Sequence, residues 1–140
     1  MGEQQSATKL RVLVADDNSD AATSLGMLLE IIGHEVRVVN DGLEAVEAAA
    51  LFQPDVILLD IGMPKLNGYE ACLRIRAQPQ NAGALIVALT GWTQEEKKRR
   101  SQEMGFDLYL IKPVELAVLE KLLLEYPLHR GKDTPANGNV

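Results

Sequence analysis

The chain has a single cysteine, Cys72, among 140 residues. It can form no internal disulfide, which fits a reducing compartment. No apolar run reaches the roughly 18 residues of a membrane span, and Met1-Gly2-Glu3-Gln4-Gln5-Ser6 has no signal-peptide core. A basic excess is also missing: the formal net charge of -6 argues against a nucleic-acid surface. The one basic cluster, Lys97-Lys98-Arg99-Arg100, reads as a solvated helix face. Internal repeats and low-complexity segments are absent. These absences predict a soluble, cytoplasmic protein with neither nucleic acid nor membrane as partner. What is present is ordinary for a globular chain, with 46% hydrophobic and 24% charged residues. A chain of this length predicts one domain, and such a domain buries about two-thirds of its unfolded surface.

Five short apolar runs alternate with helical patterns. Residues 10–15 read as a buried strand that ends in Asp16-Asp17-Asn18. A helix follows from Asp20, with Ala21, Leu25, Leu28, Leu29 and Ile32 as its core stripe and Gly33 as its stop. Residues 35–39 form a second strand, Asn40-Asp41-Gly42 a turn, and 43–51 a helix with Leu43, Val46 and Ala50 on one side. His34 reads as a surface turn residue rather than a ligand. The third run, Val56-Ile57-Leu58-Leu59, has the length of a strand buried on both faces and stops at Asp60. Beyond it, Pro64 restricts the backbone and Asn67 caps a helix over 68–76. Cys72 packs within that helix. A loop over 78–83 precedes the fourth strand, 84–89, which ends in Thr90-Gly91-Trp92. The helix expected over 93–103 contains no strongly apolar residue until Met104, so weak packing and mobility are expected there. The fifth strand, 108–111, ends in Lys112-Pro113, and a last helix over 114–126 carries Leu116, Leu119, Leu122 and Leu123 as its stripe. The segments 1–8 and 127–140 read as flexible tails. Alternation of this kind implies βαβ crossovers and a parallel sheet with helices on both faces.

Four strand ends carry polar groups: Asp16 and Asp17, Asp60, Thr90, and Lys112. In a parallel sheet these ends share one edge, where open α/β folds place their ligands. Taken singly, each has a plain structural reading; Asp16 or Asn18 reads as a simple N-cap as readily as a ligand. Taken together, three crowded acids without His or Cys suit Mg²⁺, a hard ion that takes oxygen ligands and keeps positions open for phosphate. The hydroxyl and the ammonium suit phosphoryl transfer to a carboxylate by positioning and charge neutralisation.

This set resembles the response-regulator receiver domain of two-component signalling. The resemblance rests on Asp16-Asp17, Asp60 with Met63-Pro64 and Gly68, Thr90-Gly91 and Lys112-Pro113, in that order, and covers about residues 9–126. It implies a flavodoxin-like, doubly wound five-stranded parallel sheet, (βα)5, with strand order 2-1-3-4-5. It implies Asp60 as phosphoryl acceptor and Mg²⁺ ligand, with Asp17 binding the ion directly, Asp16 largely through water, and Gly62 through its carbonyl. Lys112 would pair with the phosphoryl group, and Thr90 would move to bond it. The resemblance also implies a cis Lys112-Pro113 bond. Tyr109 matches an aromatic that swings inward as Thr90 is recruited, although it also reads as an edge residue covering apolar surface. The implied partners are a histidine kinase or histidine phosphotransfer domain, and a downstream protein on the face of the fourth helix, fifth strand and fifth helix. The last helix lacks the arginine of a paired-receiver interface, so a monomer is expected.

Three departures from the family pattern bear on function. Ser101 and Gln102 stand in the fourth helix where small or apolar residues are common. Gly62 and Trp92, two residues after Asp60 and Thr90, offer no evident water-orienting group, which predicts slow self-dephosphorylation. Two other readings compete with a phosphoacceptor that is not a turnover enzyme. One is a Mg²⁺-dependent aspartyl phosphohydrolase, which would usually need an acid where Gly62 stands; the other is a receiver-like binding module that is never phosphorylated.

Overall fold

The computed structural model describes residues 9–63, 65–91 and 105–125. In chain order these form β1 (Arg11–Ala15), α1 (Ser19–Ile31), β2 (Glu35–Val39), α2 (Gly42–Phe52), β3 (Val56–Asp60), α3 (Gly68–Arg76), a 3-10 turn (Pro79–Asn81), β4 (Leu85–Thr90), β5 (Leu108–Ile111) and α4 (Leu116–Leu124). The expected helix over 93–103, Trp92, the basic run, Met104, Pro64 and both tails lie outside the described residues. None of the described helices is long and apolar enough to cross a membrane.

All five strands are parallel, in the order β2-β1-β3-β4-β5. The sheet is the expected doubly wound, flavodoxin-like one. Its middle strands are continuous apolar runs because helices cover both faces. The edge strands β2 and β5 are only partly buried. On one face Leu13, Ile57, Leu59 and Ile86 pack against Ala45, Phe52, Cys72 and Ile75 of α2 and α3. On the other, Val12, Val14, Leu58 and Val87 meet Leu29 of α1 and Leu119, Leu122 and Leu123 of α4.

Two helix faces differ from expectation. In α1 the buried residues are Ala22, Gly26 and Leu29, while Leu28 is exposed and Met27 and Ile31 are more so. Leu29 is buried and Leu25 and Ile32 pack against the core as expected, while the face is shifted toward Ala22 and Gly26 and leaves Ala21 and Leu28 exposed. In α2 the buried set is Gly42, Ala45, Ala48, Ala49 and Phe52, Val46 packs against the core as expected, and Leu43 points to solvent. The physical cause is the same in both: small residues let a helix approach the sheet closely, and close approach takes priority over hiding every leucine. The expected loop over 78–83 contains the 3-10 turn, anchored by buried Asn81, whose Nδ2 donates to the Ala49 carbonyl at 2.9 Å.

His34 is half-buried, and its Nδ1 accepts the Leu10 N–H at 3.1 Å, which ties the α1–β2 turn to the start of β1. Burial holds its pKa below the usual imidazole value. Cys72 is fully buried, and burial pushes its thiol up to about 12, as expected of a packing residue.

Candidate functional site

The direction of winding reverses between β1 and β3, and the carboxyl ends of these neighbours open the crevice where such folds bind ligands. Asp60 is the last residue of β3, and Asp16 follows β1 directly. The pairings Ala15 with Leu59, Asp60 with Leu89 and Thr90 with Ile111 bring four strand ends to one edge. Lys112 follows β5, its N–H donating to the Thr90 carbonyl at 2.7 Å.

Local structure fixes each side chain. The Asn18 side chain accepts from the Ala21 N–H and caps α1. Capping is therefore done without Asp16, whose Oδ1 instead accepts the Asn18 N–H at 3.0 Å and whose Oδ2 faces the Lys112 ammonium at 3.2 Å. Asp60 Oδ1 accepts the Gly62 N–H at 3.2 Å and lies 3.5 Å from Lys112 Nζ. Asn67 caps α3 by accepting the Glu70 N–H. Gly68 begins that helix where an added Cβ would lie 2.5 Å from the Asp60 carbonyl oxygen, so only glycine lets α3 start this close to β3.

Asp16, Asp17 and Asp60 each offer a carboxylate oxygen within 4.8 Å of the others. Asp16 and Asp60 are buried, and Asp17 is exposed to solvent. Burial pushes the Asp60 carboxyl up to about 6, and nearby Asp16 adds to the rise against the opposing Gly62 N–H and Lys112. Burial works against the Lys112 charge, but Asp60 and Asp16 together hold its pKa above the usual lysine value. Among the described residues the result is an acid-rich, oxygen-only cluster with one ammonium to balance it. That donor set fits a hard divalent ion better than a soft one.

Of the residues singled out in the sequence, Asp16, Asp17, Asp60 and Lys112 come together in the cluster. Thr90 is buried at the adjoining strand end. Gly62 meets Asp60 through its N–H, and an added Cβ there would meet none of the described residues within 4 Å. Tyr109 sits on β5 opposite Ala88, partly buried against the core on the α2 and α3 side. The Lys112-Pro113 bond is cis, as expected.

Two features had no signal in the sequence. Asn40 Nδ2 donates to the Asp16 carbonyl at 3.0 Å across 24 residues. Arg76 pairs with Asp107 and also donates to the carbonyls of Ala82, Ala84 and Gly105. Only the Asp41-x-x-Glu44 spacing, a capping-box pattern, hinted that the Asn40-Asp41-Gly42 turn was more than a connection.

A doubly wound parallel sheet with three carboxylates and a lysine at its switch point defines a narrow class of open α/β signalling domains. The family model for the response regulator receiver domain matches residues 12–124. The chain belongs to that family, the receiver domains of two-component signalling, which interact with histidine kinases or phosphotransfer proteins.

Among curated proteins it is 37% identical over 106 residues to a gliding motility regulatory protein of Myxococcus xanthus, an alignment covering 76% of this chain and 14% of that one. The chain thus spans a small part of that relative's length. Among solved structures it resembles the chemotaxis response regulator CheY4 of Vibrio cholerae, with TM-score 0.79 and 33% identity over 85% of this chain and 99% of that one. It also resembles the receiver domain of a sensor histidine kinase from Pseudomonas aeruginosa PAO1, with TM-score 0.75 and 32% identity over 84% and 96% of the two chains. That structure is described with magnesium coordinated in its active-site cleft.

Proposed function

We propose that this chain is a Mg²⁺-dependent phosphoacceptor, with Asp60 taking a phosphoryl group from the phosphohistidine of a histidine kinase or phosphotransfer protein. The observation that carries this reading is the packing of Asp60 against Asp16, Asp17 and Lys112 in one buried-to-open cluster. Asp16, Asp17 and Asp60, with the Gly62 carbonyl, would hold the ion. When bound, Mg²⁺ supplies charge neutralisation between the acids and the incoming phosphoryl oxygens.

An Asp60 carboxylate oxygen attacks phosphorus, the new O–P bond replaces the donor's N–P bond, and the electron pair of the broken bond stays on the imidazole, which takes up a proton. Lys112, held between Asp60 and Asp16 beforehand, pairs with a phosphoryl oxygen, and the Thr90 hydroxyl donates to another. Thr90 and Tyr109 are the switch residues through which the face around β5 and α4, together with the segment 93–103, changes its affinity for a downstream protein. The working unit is the receiver body over 9–126, flanked by tails and acting as a cytoplasmic monomer. The phosphohydrolase alternative has no support at residue 62, where glycine stands in place of a second acid.

The reading is tested by incubating the protein with Mg²⁺ and a small phosphodonor and weighing it intact. One added phosphoryl group is expected, absent in Asp60→Asn and when Mg²⁺ is chelated before the donor is added. No addition, or addition that survives Asp60→Asn, overturns the reading.

A further inference from the structure

Two of the loops at the acidic cluster, those after β1 and β3, touch one corner of the molecule, the Asn40-Asp41-Gly42 turn between β2 and α2. That corner is itself tightly held. Glu44 Oε1 accepts the Asn40 N–H at 2.9 Å, and Asp41 Oδ1 accepts the Glu44 N–H at 2.8 Å, so the first turn of α2 locks the backbone before it.

From this fixed point Asn40 Nδ2 reaches the Asp16 carbonyl at 3.0 Å, while the Asp16 N–H donates to the Val39 carbonyl at 3.2 Å. The β1–α1 loop, which carries Asp16 and Asp17, is thus gripped by its backbone on both sides of one residue. On the opposite flank the β3–α3 loop leans on Gly42. A Cβ added there would lie 1.7 Å from the Leu66 carbonyl oxygen, so the two backbones are in direct contact. Lys65, in the left-handed region at φ 67, extends its ammonium to 3.3 Å from Asp41 Oδ2. That carboxyl is buried and held below the usual carboxylate range, chiefly by the Glu44 N–H.

We propose that the Asn40-Asp41-Gly42 corner is a positioning element for the metal site, setting the distance between the loop that bears Asp16 and Asp17 and the loop that bears Gly62. None of its three residues touches the ion or the phosphoryl group. They act through the Asp16 carbonyl, the Leu66 backbone and Lys65. The inference rests on the reading of the cluster as a Mg²⁺ site and adds residues to it that carry no acid, hydroxyl or ammonium of the cluster itself. Outer partners of this kind commonly change metal affinity by about 10-fold or more when removed, because ligands that must converge within a few tenths of an ångström tolerate little drift.

The test is calorimetric titration of the full chain with Mg²⁺, comparing wild type with Asn40→Ala and Gly42→Ala. Neither substitution alters charge, so electrostatics alone leaves affinity unchanged. Asn40 is exposed, and its truncation keeps the fold available even where Gly42→Ala does not. Parallel urea unfolding without Mg²⁺ gives the readout that a merely structural role would move.

The expected result is an affinity about 10-fold weaker in Asn40→Ala, with the urea midpoint displaced far less than that loss implies. Wild-type binding matched by Asn40→Ala, with or without a change in urea midpoint, overturns the positioning role and leaves the phosphoacceptor reading standing. Absence of Mg²⁺ binding by the wild type overturns the reading of the cluster, and the corner's role with it.

Discussion

At the scale of single residues, the negative charge of Asp60 works against folding, because burial opposes it more than the nearby Lys112 favours it. Its carboxyl, pushed up to about 6 by burial and by Asp16, has an unfolded value near 3.8. The folded protein therefore binds the proton more tightly than the unfolded chain. The resulting stability is present below about pH 3.8 and is lost as pH rises through about 6. The full shift corresponds to about 3 kcal/mol, which screening at the open edge of the site reduces to on the order of 1–2 kcal/mol. Without Mg²⁺, Asp60→Asn is expected to raise the urea midpoint at pH 7.5 and to remove this part of the pH dependence; a lowered midpoint would contradict the account. Gly62 is the complementary case. A Cβ there meets none of the described residues, so Gly62→Asn is expected to leave stability within about 0.5 kcal/mol while adding a polar group beside Asp60. Loss of the acyl phosphate should then be faster than in the wild type, measured by following the intact mass after the donor is removed. An unchanged rate would remove Gly62 from the grounds for expecting slow self-dephosphorylation.

At the scale of elements, the strands were more legible than the helix faces. A run such as Val56-Ile57-Leu58-Leu59 has one reading once both faces of the sheet are covered, and the carboxylate after it marks the edge where ligands bind. In α1 and α2 several apolar stripes compete, and burial of Gly26 and Ala48 in place of Leu28 and Leu43 follows from how near the helix lies to the sheet. Tertiary distance of that kind leaves no mark on local periodicity. The same holds for Asn40 and for Arg76, whose partners lie far along the chain. Arg76 joins the end of α3 to the start of β4 and, through Asp107, to the start of β5, where Asp107 Oδ2 also accepts the Ile86 N–H at 2.8 Å. Removing one side of such a partly buried pair leaves charge and carbonyls unsatisfied. Arg76→Ala is expected to cost about 2–4 kcal/mol by urea unfolding, with Arg76→Lys recovering only part because an ammonium lacks the planar fork. A cost below about 0.5 kcal/mol would show the clamp to be incidental.

At the scale of the whole molecule, the sheet is a frame that delivers groups from distant parts of the chain to one edge. Lys112 and Asp16 are 96 residues apart, yet their charged atoms lie 3.2 Å from each other. The site residues were legible because each follows a strand run, and a parallel sheet aligns such ends whatever the lengths of the connections. The corner that braces the site was not, since it carries none of the chemistry. The claim on which the rest depends is that this frame makes Asp60 the covalent acceptor. Its most direct measurement is to phosphorylate the protein with Mg²⁺ and a small phosphodonor, reduce the acyl phosphate with borohydride, and map the peptides by mass spectrometry. The account predicts homoserine in place of the aspartate at position 60 and nowhere else. An unmodified Asp60, or homoserine at Asp16 or Asp17 instead, would contradict it.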